Sequence, residues 1–219
     1  TGNGTKWEEK YKQIYDINTD QYNIEKSLGK YGFSSEQITD VICTHMHFDH
    51  IGGNTKIKFG EVVPTFPNAK YWISEENWNL ANHPSQKDAG SFIEHDWKVL
   101  AENQMIEIID GREPFIEGIE TFVTHGHTPG LLHPIVSDGS NKLFYGADIF
   151  PMVAHIPIPW VMAYDVQPVV TMEEKQKLLQ KMEREDWILF FEHDPHIQAC
   201  TVYKDGKHYK LNKEIKISD

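Results

Sequence analysis

The stretch Asp40-Val41-Ile42-Cys43-Thr44-His45-Met46-His47-Phe48-Asp49-His50, followed by Ile51-Gly52-Gly53, decides the reading of this chain. Asp40 to Thr44 is a short β-branched run, predicted as a strand. Directly after it come four side chains able to ligate a metal: His45, His47, Asp49 and His50. His45 and His47 alternate, so both can reach one ion from a tight loop, while Asp49 and His50 turn towards a neighbouring position. Neutral imidazole and carboxylate suit Zn²⁺, and also Fe or Mn.

Three later segments repeat the pattern of a polar ligand at a strand end: Thr124-His125-Gly126-His127, Tyr145-Gly146-Ala147-Asp148 and Phe190-Phe191-Glu192-His193-Asp194. Each alone is an ordinary cap or surface residue. Asp194 reads either as a carboxylate orienting His193 or as a turn residue, and His125 as an exposed neighbour of His127. His133 shows no ligand spacing. Cys43 reads as core.

Around these motifs the chain looks like one folded domain over residues 1–219. Its 21 Lys+Arg against 33 Asp+Glu give a net charge of −12, which argues against a nucleic-acid partner. No apolar run approaches the roughly 18 residues that a membrane span needs. Two cysteines fit a reducing compartment, so the expected location is cytoplasmic. The opening Thr1-Gly2-Asn3-Gly4 reads as a turn leaving a strand, and strands upstream of it are expected; a signal peptide there stays open.

Helices are predicted over Trp7 to Ile14, Asn23 to Tyr31, from Ser74 to about Leu80, from Ser85 to about Leu100, and over Thr171 to Asp186. Strands are predicted at Lys70 to Ile73, Met105 to Ile109, Ile119 to Thr124, Leu131 to Ser137, Leu143 to Ala147 and Trp187 to Phe191, with a hairpin at Asp205-Gly206. Hairpins mixed with isolated helices point to an α/β or α+β fold, not a purely parallel one.

Taken in order, the four motifs resemble those of the metallo-β-lactamase-fold hydrolases, over most of the chain. The resemblance implies an α+β fold, an αβ/βα sandwich of two mixed sheets packed face to face with helices outside. It also implies two divalent ions, zinc first. His45, His47 and His127 would hold one, Asp49, His50 and His193 the other, and Asp148 would bridge them. Asp49 and Asp148 would then be the catalytic carboxylates, flanking a metal-bridging hydroxide that attacks the substrate. Thr1-Gly2 looks like the end of the family's early Asp-Thr-Gly turn.

Departures narrow the subclass. Asp148 stands where zinc β-lactamases carry cysteine, and His47 where the oxygen-reducing di-iron branch carries glutamate. The chain looks most similar to the quorum-quenching lactonases and the methyl parathion hydrolase group. Some of those lactonases place a catalytic tyrosine three residues after the bridging aspartate, but Pro151 stands there in this chain. Tyr164 or His155 is the expected substitute, on an apolar segment Ala154 to Asp165 read as pocket lining or as a homodimer surface. The expected function is hydrolysis of a small ester or lactone. Hydrolysis of a phosphotriester or phosphodiester is the alternative, and a non-catalytic metal-binding module the third reading.

Overall fold

Asn23 opens the second helix because its side chain accepts the N–H groups of Glu25 and Lys26, two of the donors a helix start leaves unpaired. In the computed structural model, which describes residues 1–20, 23–110 and 116–217, the chain divides into two units, Thr1–Ile109 and Asp110–Asp219.

The first unit runs α1 (Glu9–Tyr15), α2 (Ile24–Lys30), β1 (Asp40–Ile42), α3 (Phe48–Ile51), β2 (Thr55–Lys58), β3 (Glu61–Pro64), β4 (Lys70–Ser74), α4 (Glu75–Asn82), α5 (Lys98–Glu102) and β5 (Ile106–Ile109). Strands β1, β4 and β5 form a parallel sheet in which Val41 pairs with Tyr71 and Tyr71 with Ile106. Its core gathers Val41, Met46, Ile51, Tyr71, Ile73 and Leu100. Each such apolar side chain contributes about 1.5–3 kcal/mol on burial. Ser74 caps α4, as predicted, by accepting the N–H of Asn77.

One expectation fails in this unit, and one element has no counterpart among the expectations. The helix from Ser85 to Leu100 is replaced by two single 3₁₀ turns, Ala89–Ser91 and Glu94–Asp96, before the short α5. Ser85 spends its hydroxyl on Asp88 and on the N–H of Lys87, closing a local turn, and Gly90 follows within the run. The hairpin β2–β3 was not anticipated. Its turn places Phe59 at φ 55° and Gly60 at φ 87°, the pair of positive φ values that a tight two-residue hairpin needs.

The second unit runs β6 (Ile119–Thr124), β7 (Leu131–Ser137), β8 (Lys142–Tyr145), α6 (Pro168–Glu185), β9 (Ile188–Phe190), β10 (Ala199–Asp205) and β11 (His208–Ile215). These strands form one sheet in the order β11-β10-β9-β8-β7-β6. Only the pair β8–β9 is parallel, and α6 is its crossover. Helix α6 begins with Pro168 in its first turn and buries Thr171, Lys175, Leu178, Leu179 and Met182 over Phe144, Phe150 and Leu189. Because β7 is antiparallel to both β6 and β8, strands β6, β8 and β9 all run the same way. Their C-terminal ends therefore share one edge of the sheet, and each ends just before a ligand-type residue. A parallel sheet, a mixed sheet and a separate hairpin, together with helices, give the α+β class. No helix of the described residues is long and apolar enough to cross a membrane.

Candidate metal centre

In the first unit, the loop after β1 is fixed by backbone bonds before any metal is considered. Cys43 N–H donates to Trp72 O at 3.0 Å, and Met46 N–H donates to the buried Asn77 Oδ1 at 2.7 Å. Met46 is fully buried in the apolar core, between His45 and His47 in sequence. Their rings lie 4.4 Å apart at 82°, and the rings of His45 and His50 lie 3.9 Å apart. All three imidazoles are buried, whereas Asp49, whose Oδ2 is 3.4 Å from His50 Nε2, is partly exposed. Gly52 and Gly53 cannot be replaced, since a Cβ on either would sit 2.3 Å from a carbonyl oxygen of Asn3 or Thr1. The buried Lys6 ammonium pairs with Asp96 at 2.9 Å and donates to the carbonyls of Gly52 and Thr55, clipping this turn in place. Burial lowers the pKa of Lys6, and Asp96 opposes that shift.

Beside this motif is a cavity of about 340 Å³ lined by Trp7, Tyr11, Tyr15, Phe48, Ile93 and Lys6, among others. Phe48, between His47 and Asp49, packs on Trp7 with ring centres 5.1 Å apart. Cys43 Sγ accepts from Asn54 Nδ2, and burial raises its pKa, so it belongs to the core as expected.

In the second unit, Asp148 lies between two imidazoles: His127 Nε2 is 3.2 Å from its Oδ2, and His193 Nε2 is 3.1 Å from its Oδ1. Asp148 sits on a 3₁₀ turn after β8, where Ala147 is at φ 42° and where a Cβ on Gly146 would meet Phe190 O at 2.8 Å. His127 Nδ1 lies 2.9 Å from Asp165 Oδ1. The pairing fixes the tautomer of a neutral imidazole: Nδ1–H donates to Asp165, and the lone pair on Nε2 is aimed at Asp148. Two acceptors at 3.2 Å repel each other unless a cation or proton lies between them. Buried imidazoles and carboxylates, with no thiolate among them, therefore fit divalent ions such as zinc.

Two carboxylates here were not picked out from sequence. Glu192 offers a ligand oxygen within 4.8 Å of those of Asp148 and His193, and the Tyr145 hydroxyl hydrogen-bonds to it; burial, then the Glu192 charge, raise the Tyr145 pKa. Asp165 is 38 residues from its partner His127, beyond any local spacing signal.

The other candidates resolve as follows. Asp194 is a turn residue: its carboxylate accepts the N–H groups of Val153, His196 and Ile197, which outweigh partial burial and hold its pKa low. His125 is half-buried instead of exposed, its Nδ1 accepting from Gly130 N–H. His133 is a core residue, its ring between Thr124 Oγ1 and Tyr145 O. His155 is half-buried, its enclosed Nδ1 lacking a hydrogen-bond partner among the described residues, while Tyr164 is 75% exposed.

Comparison with known proteins identifies the family. The profile of the metallo-beta-lactamase superfamily matches residues 4–193. An N-acyl homoserine lactonase of Bacillus thuringiensis is 23% identical over 197 residues, covering 88% of this chain and 71% of its own. Among solved structures, a probable metal-dependent hydrolase from Staphylococcus aureus superposes with a TM-score of 0.84 at 24% identity, covering 99% of this chain and 77% of its own. AidC, a dizinc quorum-quenching lactonase, superposes with a TM-score of 0.74 at 24% identity, covering 89% and 70%. The profile spans most of the chain, and the chain belongs to the metallo-beta-lactamase superfamily as a metal-dependent hydrolase.

Proposed function

We propose that this protein is a dinuclear metallohydrolase that opens a small lactone or cleaves a small ester. The observation carrying this reading is the placement of Asp148 between His127 and His193, one carboxylate oxygen towards each. Such a carboxylate can serve two ions at once. In this reading His45, His47 and His127 hold one ion, and Asp49, His50 and His193 hold the other. When bound, the pair would supply Lewis acidity and an acidified water at neutral pH.

The chain's own residues do the rest. Asp49, the proposed carboxylate ligand whose side chain is partly open to solvent, is placed to take the proton of an attacking water. Asp165 keeps the His127 proton on Nδ1, so that Nε2 stays a ligand. The aromatic cavity beside Phe48 offers an apolar wall for the acyl or aryl portion of a substrate. His155 or Tyr164 stands in as hydrogen-bond donor where Pro151 removes the tyrosine found in some lactonases. The lactonase names among the relatives support a carbonyl substrate. The aromatic wall serves an aryl phosphotriester equally, which keeps that alternative open to test.

The test is kcat/KM of the zinc- and manganese-reconstituted protein for an acyl lactone, an aryl ester, a phosphotriester and a phosphodiester. Preference for the carbonyl substrates supports the proposal. Preference for phosphorus replaces it with the alternative, and chelator-resistant activity removes the metal from the account.

A further inference from the structure

We infer that Glu174, on helix α6, is a positioning residue for the proposed metal ligand His127; this rests on the metal-site reading above. Glu174 is 47 residues from His127 in sequence and touches neither the ligand ring nor Asp148 in the contacts described. It acts on the backbone instead. Its Oε1 accepts His125 N–H at 2.8 Å and its Oε2 accepts Gly126 N–H at 3.0 Å. One carboxylate thereby holds two consecutive amides immediately before the ligand.

The carbonyls of the same loop are held by the segment leading into the same helix. Val166 N–H donates to His127 O at 2.9 Å and Gln167 N–H to Gly126 O at 2.8 Å. Gln167 Nε2 donates to His125 O at 3.3 Å. The loop also rests directly on the helix, because a Cβ on Gly126 would lie 2.4 Å from both the N and the Oγ1 of Thr171. The strand end alone does not satisfy these groups: β6 stops at Thr124, and a loop without a sheet partner needs its amides paired elsewhere. Glu174 supplies that pairing with a charge-assisted bond to each amide, the stronger kind of hydrogen bond. A shift of the loop moves His127 off Asp148, so the carboxylate sets ligand geometry from outside the site.

The experiment compares wild type, Glu174→Gln and Glu174→Ala, with Leu178→Ala as a control that weakens the buried apolar face of the same helix at a side chain unable to hydrogen-bond to the loop. Zinc affinity for each of the two ions is measured by competition with a chromophoric chelator at 25 °C, with circular dichroism confirming that each metal-free variant is folded. The expected result is a loss of roughly 10–100-fold in affinity for one ion in Glu174→Ala, with a smaller loss in Glu174→Gln, which keeps one acceptor oxygen. The second ion is unaffected, and Leu178→Ala binds both like wild type. Unchanged affinities, or an equal weakening of both ions shared by Leu178→Ala, overturn the inference while leaving the dinuclear reading intact. A wild type that binds no zinc overturns both.

Discussion

His127 Nδ1 and Asp165 Oδ1 lie 2.9 Å apart, and both side chains are 1% exposed. A buried charge survives only if it is paired, and here the partner is a ring whose opposite nitrogen faces the Asp148 carboxylate. Asp165 therefore does two things: it fixes the ring rotation, and it makes the imidazole a better donor to a cation. Replacing it with alanine is expected to lower zinc affinity by roughly 10–100-fold, and asparagine, which still accepts a hydrogen bond but carries no charge, by less. Chelator competition on the two variants checks this. Equal affinity in all three proteins would show that the pair is merely structural.

Gly126 is the tightest point of the same loop. A methyl group there meets the backbone nitrogen of Thr171, which cannot move without displacing α6. Gly126→Ala is expected to cost about 1–3 kcal/mol of stability and to reduce metal loading along with it. Thermal denaturation of the metal-free protein and metal analysis of the purified variant measure the two effects. A fully stable, fully loaded Gly126→Ala protein would contradict the contact.

What was legible in the sequence, and what was not, follows from the range of each interaction. The motif His45 to His50 is contiguous, and periodic apolar runs placed strand ends before His127, Asp148 and His193, but only the order of the four motifs, through the resemblance, joined those residues into one expected site. The strands Ile119–Thr124 and Leu131–Ser137 and the Ser74 cap appeared where expected. Asp165 and Glu174 escaped because their partners are 38 and 49 residues away. The helix predicted from Ser85 failed because its cap closed on Asp88 instead, and the Phe59-Gly60 hairpin was missed because a phenylalanine at positive φ carries no turn signal.

The choice between His155 and Tyr164 as the substrate-side donor comes down to enclosure. Among the described residues, no hydrogen-bond partner reaches the buried His155 Nδ1, an arrangement that costs stability unless something uses it. Its turn is tied to the His193 loop by His193 N–H to Pro151 O and by Val153 N–H to Asp194. Steady-state kinetics on the preferred substrate should show His155→Phe losing about 10²–10⁴-fold in kcat, the range for a proton-transfer group. Tyr164→Phe should leave kcat unchanged. The reverse pattern would transfer the role to Tyr164.

His133 makes the metal-free protein sensitive to acid. Burial holds its ring neutral down to about pH 3, with the Tyr145 carbonyl bond opposing that shift, against 6.5 for an ordinary histidine. Between those values the unfolded chain binds the proton and the folded chain does not, so stability falls as pH drops from 6.5 towards 3. His133→Gln keeps an acceptor for Thr124 and a donor for Tyr145 but cannot titrate. Urea denaturation across that range should give a shallower acid limb for the variant, and identical limbs would refute the assignment.

Lys175 gives the opposite limb of the pH profile. Its side chain is fully buried, and its ammonium donates to the carbonyls of Pro157, Ile158 and Trp160 at 2.9, 3.3 and 2.7 Å. Three donors meeting three acceptors fix the segment that runs on to Asp165. Burial lowers its pKa from 10.5 to about 8, with the Asp165 charge opposing the shift. Below pH 8 both folded and unfolded chains carry the proton, and the group gives no slope. Between about 8 and 10.5 the folded chain has released it while the unfolded chain still holds it, so stability rises with pH through this window, by about 3 kcal/mol in all. Lys175→Met removes the titration and leaves the three carbonyls without their donor. The difference between the stability curves of wild type and variant isolates the lysine, because every other titrating group is common to both. That difference should widen steadily from pH 8 upwards; a flat one would mean that the ammonium is as well solvated in the fold as in water.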